Sequence, residues 1–234
     1  MGLKESGLRG SLRNVSVGIV AIPDSAVAHG VASDYDGSQW VASIGPNIED
    51  LNGDPSKESV TANGESFDVV RYNGSDDISQ TTDLSISTGP STAPQAFIYV
   101  ARLRDIQDAF PRMIDGGERE WEHYHRDDGD NNEHNIFSDS NNVTSSTSAD
   151  TDLHVWCVEG TTNPTFRLIE DNASGTTLAS DNVTWDSLTG ITLGARADNS
   201  SYAPVDIAEY TVLASHSTEE RDGEISRLMD KYGI

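Results

Sequence analysis

The stretch Glu118-Arg119-Glu120-Trp121-Glu122 sets three glutamates at alternate positions, so on a β-strand their carboxylates would share one face. Glycoside hydrolysis needs a pair of such groups, one to protonate the leaving oxygen and one to attack or to activate water. The run follows Gly116-Gly117 and contains no interleaved aspartate. A solvated acidic strand face is therefore the better reading, and no catalytic residue is assigned. His123 and His125 lie two apart, a spacing that aims both imidazoles the same way on a strand, and His134 follows an acidic loop. Three imidazoles suit a transition metal such as zinc. Their spacing is not diagnostic, and histidines near a turn are more often ligand-free, so no metal is assigned to them. Asp127-Asp128-Gly129-Asp130-Asn131-Asn132-Glu133 offers oxygen ligands of the kind calcium takes, without the register of an EF-hand loop. Calcium is thus the one cofactor left open, against a plain solvated loop. Of Trp40, Trp121, Trp156 and Trp185, at most one is assigned to stacking on a sugar ring, since core packing accounts for most tryptophans. Trp121, His123, His125, Asp127, Asp128 and Asp130 form the candidate ligand-binding group. No Ser-His-Asp arrangement and no phosphate-cradling glycine loop accompany them.

The elements that must hold these residues are read from composition and period. The 234 residues carry 39 acidic and 15 basic side chains, a formal net charge of −24, and all but Lys4, Lys57 and Lys231 of the basic ones are arginine. Such a surface repels itself in dilute buffer and is relieved in molar salt, where the Debye length falls to about 3 Å. The composition reads as halophilic. It argues against nucleic acid and against an anionic membrane surface as partners, because both are held by basic faces. No stretch is long and apolar enough for membrane insertion. Cys157 is the lone cysteine, so no intrachain disulfide forms, and a small buried hydrophobe is its expected role. Six Asn-x-Ser/Thr sequons occur, at Asn14, Asn73, Asn142, Asn172, Asn182 and Asn199, many of them expected by chance in a chain this rich in these residues.

Residues 1–32 read as a glycine-rich, mildly basic arm, with Leu8, Arg9, Leu12, Arg13 and Val15 as its anchoring side chains. The alternative is that residues 15–22 are a first strand. From residue 33 onward short alternating runs are separated by Gly, Asn, Asp, Ser and Pro, the pattern of many strands joined by turns. Residues 96–102 put Phe97, Tyr99 and Ala101 on one face and Ile98 and Val100 on the other, as a central strand covered on both sides would. Residues 153–159 divide the same way, and 165–170 with 176–179 make a hairpin. Residues 191–196 and 206–213 complete the strands. Ser217 and Glu220 form a capping box, and Ile225, Leu228, Met229 and Tyr232 give an apolar stripe, which predicts one amphipathic helix over residues 217–232.

Three segments together resemble the concanavalin A-like or laminin G-like modules of virion and tail proteins. They are Asp68-Val69-Val70-Arg71-Tyr72-Asn73-Gly74-Ser75-Asp76-Asp77, the aromatic strand 96–102, and Ile207-Ala208-Glu209-Tyr210 with the capped helix ending Lys231-Tyr232-Gly233-Ile234. The resemblance covers residues 34–234 and implies an all-β jelly-roll sandwich with a C-terminal helix behind an N-terminal arm. Leu8-Arg9-Gly10-Ser11-Leu12-Arg13-Asn14-Val15-Ser16, with Ile22-Pro23-Asp24-Ser25, is similar to the start of virion proteins of haloarchaeal viruses. That implies a non-enzymatic structural or adhesion protein at the virion surface, such as a capsid turret, decoration or tail-fibre module. Expected partners are other virion proteins, copies of itself, and a host surface glycan or glycoprotein. The alternatives are a cell-surface or secreted carbohydrate-binding module and, behind it, a glycan hydrolase.

Overall fold

The computed structural model describes residues 21–234 apart from 63, 85, 87–92, 107–109, 118–120, 128–131, 139–140, 163–164, 173, 175–176, 182–184 and 186. The strands in chain order are β1 (Ala26–Val31), β2 (Gln39–Trp40), β3 (Ile48–Asn52), β4 (Ser56–Ala62), β5 (Glu65–Arg71), β6 (Ile78–Thr81), β7 (Gln95–Leu103) and β8 (Arg112–Asp115). They continue with β9 (Glu122–Asp127), β10 (Asn132–Ser138), β11 (Asn141–Ser148), β12 (His154–Thr161), β13 (Thr165–Glu170), β14 (Thr177–Asp181), β15 (Ile191–Leu193) and β16 (Val205–Ala214). The helix α1 spans Thr218–Tyr232. All strand pairs are antiparallel, in two eight-stranded sheets.

The first sheet runs β14-β13-β12-β7-β16-β5-β4. β5 pairs with the start of β16, and β1 takes over along the same edge beyond an irregularity at Ala208. The second sheet runs β11-β10-β9-β8-β15-β6-β3-β2. The chain is therefore an all-β jelly-roll sandwich with one C-terminal helix.

Between the sheets lie Phe97, Tyr99, Trp156, Phe166, Leu168 and Tyr210 from the first and Ile48, Ile114, Ile136, Ile191 and Leu193 from the second. Ile98, Val100, Val155 and Cys157 face the other way, against Ile225, Leu228 and Tyr232 of α1. β7 thus has both faces buried, as its uninterrupted apolar run predicts, because a strand under a helix sees oil on each side. The helix begins where the sequence places it: Ser217 Oγ accepts from the Glu220 amide at 3.2 Å, while Glu220 Oε2 accepts from the Ser217 amide at 2.8 Å. It ends at Gly233, whose φ of 68° is the left-handed region where a side chain is unwelcome.

Two boundaries move. The arm does not extend to residue 32, because residues 26–31 pair with β16 and Ala28 and Ala32 are wholly buried. The strand predicted over 191–196 stops at Leu193, since Gly194 turns to φ +79° against the Tyr72 ring. The anchoring residues Leu8, Arg9, Leu12, Arg13 and Val15 lie outside the described residues. No helix among those described is long and apolar enough to cross a membrane.

Candidate functional site

Register fixes what the second sheet shows outward. Inward rows place Leu193, Ile114, His123, Ile136 and Val143 opposite one another, so the alternate rows face away from the core. One outward row is Glu49, Gln80, Thr192 and Asp115; another is Arg112, Tyr124, Asn135 and Thr144. Nearly every member is polar. Gln80 Nε2 donates to Thr192 Oγ1 at 3.0 Å, and Asp115 Oδ2 accepts from the Ala197 amide at 2.9 Å, which ties the loop after β15 onto this face. The Glu122 carboxylate is gripped by Arg112 at 2.9 Å and Arg196 at 3.2 Å and is only 1% exposed. The Arg112 guanidinium also lies 4.2 Å over the Tyr124 ring, whose hydroxyl donates to Asn142 Oδ1 at 3.0 Å.

Beside this floor opens a cleft of about 500 Å³, within the usual range for small-ligand sites. Gln80, Thr82, Thr189 and Asp198 supply its polar groups. Gly117 and Gly190 bring backbone to its wall: a Cβ at Gly117, already at φ +94°, would stand 2.8 Å from Thr189 Oγ1. On the same outward face Phe110 is 47% exposed and meets Tyr124 edge-on at 6.3 Å. An exposed ring beside polar side chains can hold the apolar face of a sugar while its hydroxyls bond to those side chains.

The candidates predicted from sequence fare differently. Trp121 is not a stacking platform: it is fully buried, edge-on to Phe166 at 5.2 Å and Trp185 at 5.4 Å. Trp40, Trp156 and Trp185 are 2% exposed or less. His123 and His125 do point the same way, but inward, with no exposed surface, opposite Ile136 and His134. They cannot meet a ligand at the surface. Tyr99 hydroxyl bonds His123 Nδ1, and His123 Nε2 lies 3.1 Å from His134 Nδ1, whose ring packs 4.3 Å from Trp156. Burial, followed by the neighbouring imidazoles, holds His123 well below its ordinary pKa and brings His134 down to about 3. Among the described residues no three His, Cys, Asp or Glu side chains are grouped as a metal site. Asp127 ends β9, while Asp128 and Asp130, with most of the proposed calcium loop, lie outside the described residues. Glu118 and Glu120 lie outside them as well.

Phe110, Arg112, Tyr124 and Arg196 were not evident in the sequence as site residues. The aromatic before Pro111 in a loop was the one local signal; the rest depend on register.

No protein-family model matches the chain, and no curated protein matches it in sequence. Its fold is similar to solved carbohydrate-active and receptor-binding proteins. An arabinofuranosidase complexed with arabinofuranosyl-α-1,2-xylobiose superposes with a TM-score of 0.62 at 13% identity, over 83% of this chain and 51% of that one. The receptor-binding domain of a botulinum neurotoxin C/D mosaic serotype gives 0.61 at 12% identity, over 87% and 51%. Trypanosoma rangeli sialidase with 2,3-difluorosialic acid gives 0.60 at 10% identity, over 90% and 34%. The chain therefore spans about half or a third of these proteins' length, and the likeness is one of fold.

Proposed function

We propose that this module is a non-catalytic glycan-binding protein of a haloarchaeal virus surface, docked to the particle by its N-terminal residues. The observation that carries the binding reading is the cleft beside the second sheet, lined by amide, hydroxyl and carboxylate groups, together with the exposed Phe110 ring elsewhere on the same side of that sheet. The similarity of residues 8–16 and 22–25 to virion proteins and the excess of acidic residues carry the viral and halophilic part. Sandwiches of this shape serve lectins, hydrolases and structural proteins alike, so the fold does not choose between them. Against hydrolysis stands Glu122, the one described glutamate of the 118–122 run. Two guanidiniums occupy its carboxylate and leave no open face toward an anomeric carbon.

The test is retention of the purified protein on haloarchaeal cells before and after removal of surface glycans, with reducing sugar assayed in parallel. Binding lost on deglycosylation, with no sugar released, is the expected result. Equal retention on stripped cells would overturn the glycan reading. Release of reducing sugar would replace it with the hydrolase.

A further inference from the structure

Among the described residues the buried carboxylates that pair with arginine or lysine do so in balanced groups, with one exception, while Asp77 and Asp115 accept from backbone amides instead. Glu159 and Asp222 share Arg167 and Arg221; Glu209 and Glu224 share Arg227 and Lys231; Glu122 and Asp198 share Arg112 and Arg196. Asp206, with no exposed surface, has three cations to itself: Arg71 at 2.8 Å, Arg102 at 2.9 Å and Arg104 at 3.4 Å. The register of β5, β16 and β7 creates the cluster, with Asp206 directly opposite Arg71 on one side and Arg102 on the other. Four N–H groups from Arg71 and Arg102 already saturate the carboxylate. One cation would neutralise Asp206 and Glu58 acts on Arg71, so the cluster still holds more positive charge than its carboxylates balance, in a chain whose formal charge is −24. The Nη1 groups of all three arginines make no hydrogen bond to other described residues, and each side chain is about 30% exposed.

Arg71 and Arg104 line one wall of a cleft of about 620 Å³. Asp54, Asn73 and Asp76 line the remaining wall, and Ser56 sits beside Arg71 across the β4-β5 pair. That wall is set in advance. Asn73 Oδ1 accepts from the Ser75 amide at 2.7 Å, and Asp77 binds the Asn73 and Asp54 amides at 2.7 and 2.8 Å, which clips the two loops together. Asp54 is exposed, and its carboxylate accepts no hydrogen bond from another described residue. We infer that this cleft binds a carboxylate-bearing saccharide, its carboxylate on the free guanidinium edges of Arg71 and Arg104 and its hydroxyls donating to Asp54 and Asp76. A bare inorganic anion would be drawn to the arginines but repelled by the aspartates, whereas a uronate satisfies both walls. In molar salt long-range attraction is screened, so the forked geometry of guanidinium on carboxylate would carry the recognition. The site lies on different strands from the cleft beside Gln80. It rests on the glycan-binding reading only for the sugar ring.

The test is calorimetric titration of the full chain with trigalacturonate and with its methyl ester, in salt where the protein melts cooperatively. Arg104→Gln is the informative variant, because Arg71 and Arg102 still satisfy Asp206 without it. Wild type should bind trigalacturonate and not the ester, and Arg104→Gln should weaken binding about tenfold or more while still melting cooperatively, any drop in midpoint reporting the Tyr72 carbonyl that Arg104 Nη2 serves. Arg104→Lys should also weaken it, since an ammonium cannot fork. Phe110→Ala should leave it intact, which separates this site from the cleft of the second sheet. No trigalacturonate binding, equal affinity for the ester, or full affinity in Arg104→Gln would each overturn the inference.

Discussion

The two sheets are built from the same kind of strand but meet different surroundings. The first is covered on both faces, by its partner sheet and by α1, and the charges it buries under the helix are tied into a network. Glu209 accepts from Arg227 at 2.6 Å, Tyr232 at 2.8 Å and His29 at 2.9 Å. Burial alone would raise the Glu209 pKa, yet these partners and Lys231 hold it well below the usual carboxylate range. The outward face of the second sheet is covered only in part: Thr192, Asp115 and Asn135 have no exposed surface, while Glu49 and Thr144 are exposed. Its outward rows are amides, hydroxyls and charges, and its exposed ring, Phe110, contributes little burial. Under the proposed reading the difference separates two tasks: the first sheet and its helix carry stability, and the second would present groups to a ligand. Substitutions on the two should therefore move different measurements.

The largest expected effect is on the helix-covered face. Leu228 is fully buried against the first sheet, and Leu228→Ala should cost about 2–5 kcal/mol through lost burial and the cavity it leaves. Denaturant unfolding measures it. A loss below about 1 kcal/mol would show that α1 rests loosely and that stability does not reside on this side.

Next comes pH, where two histidines pull in opposite directions. His134 is buried between the sheets with its pKa down at about 3. The unfolded chain takes up that proton first, so the stability is present above about 6.5 and is lost as pH falls toward 3. His154, at the start of β12 in the first sheet, is the reverse. Burial would lower it, but bonds to Asp171 at 2.6 Å and Asp150 at 2.9 Å raise it to about 9. Its contribution is complete below about 6.5 and fades as pH rises through 9. Stability should peak near neutrality, with limbs of up to about 1.4 kcal/mol per pH unit for each proton exchanged. Unfolding of His154→Asn between pH 4 and 9 should flatten the alkaline limb and spare the acid one. An unchanged alkaline limb would show that Asp171 and Asp150 do not hold the imidazolium.

The same contrast explains what was legible in the sequence. Residues 96–102 and 153–159 announce the first sheet because each alternates between two apolar faces, and both faces prove buried. The helix was legible from Ser217, Glu220 and the stripe of Ile225, Leu228 and Tyr232. The second sheet hid itself. Its strand β9 buries His123 and His125 where a hydrophobe would have marked the inward face, so these residues read as surface ligands. Trp121, next to glutamates, read as exposed for the same reason. The Asp206 cluster joins residues 104 and 135 positions apart, and no local period reports such a meeting.

A smaller effect is expected at the helix start. Ser217→Ala removes one side of the capping box and should cost about 1 kcal/mol. A thermal melt compared with Leu228→Ala should rank the two, and a loss at Ser217 exceeding that at Leu228 would mean that helix nucleation, rather than docking, limits the covered face.

The smallest effect on stability, and the sharpest test of the contrast, belongs to Phe110. Its ring is 47% exposed, touches Tyr124 only edge-on at 6.3 Å, and sits beside Arg126 at 6.0 Å. Little apolar area is withdrawn from water there, so Phe110→Ala should shift unfolding by no more than about 0.5 kcal/mol, as surface changes do. Ligand binding should respond otherwise. A sugar laid on the ring would lose that exposed aromatic surface, and removal of a central aromatic contact commonly costs about 2 kcal/mol or more, some thirtyfold in affinity. Retention on glycosylated cells should therefore collapse while the melting curve stays in place. If both hold, the two sheets divide binding from stability as their surroundings suggest. If the melt falls by several kcal/mol instead, Phe110 is a lid on the core, and the second sheet is as structural as the first.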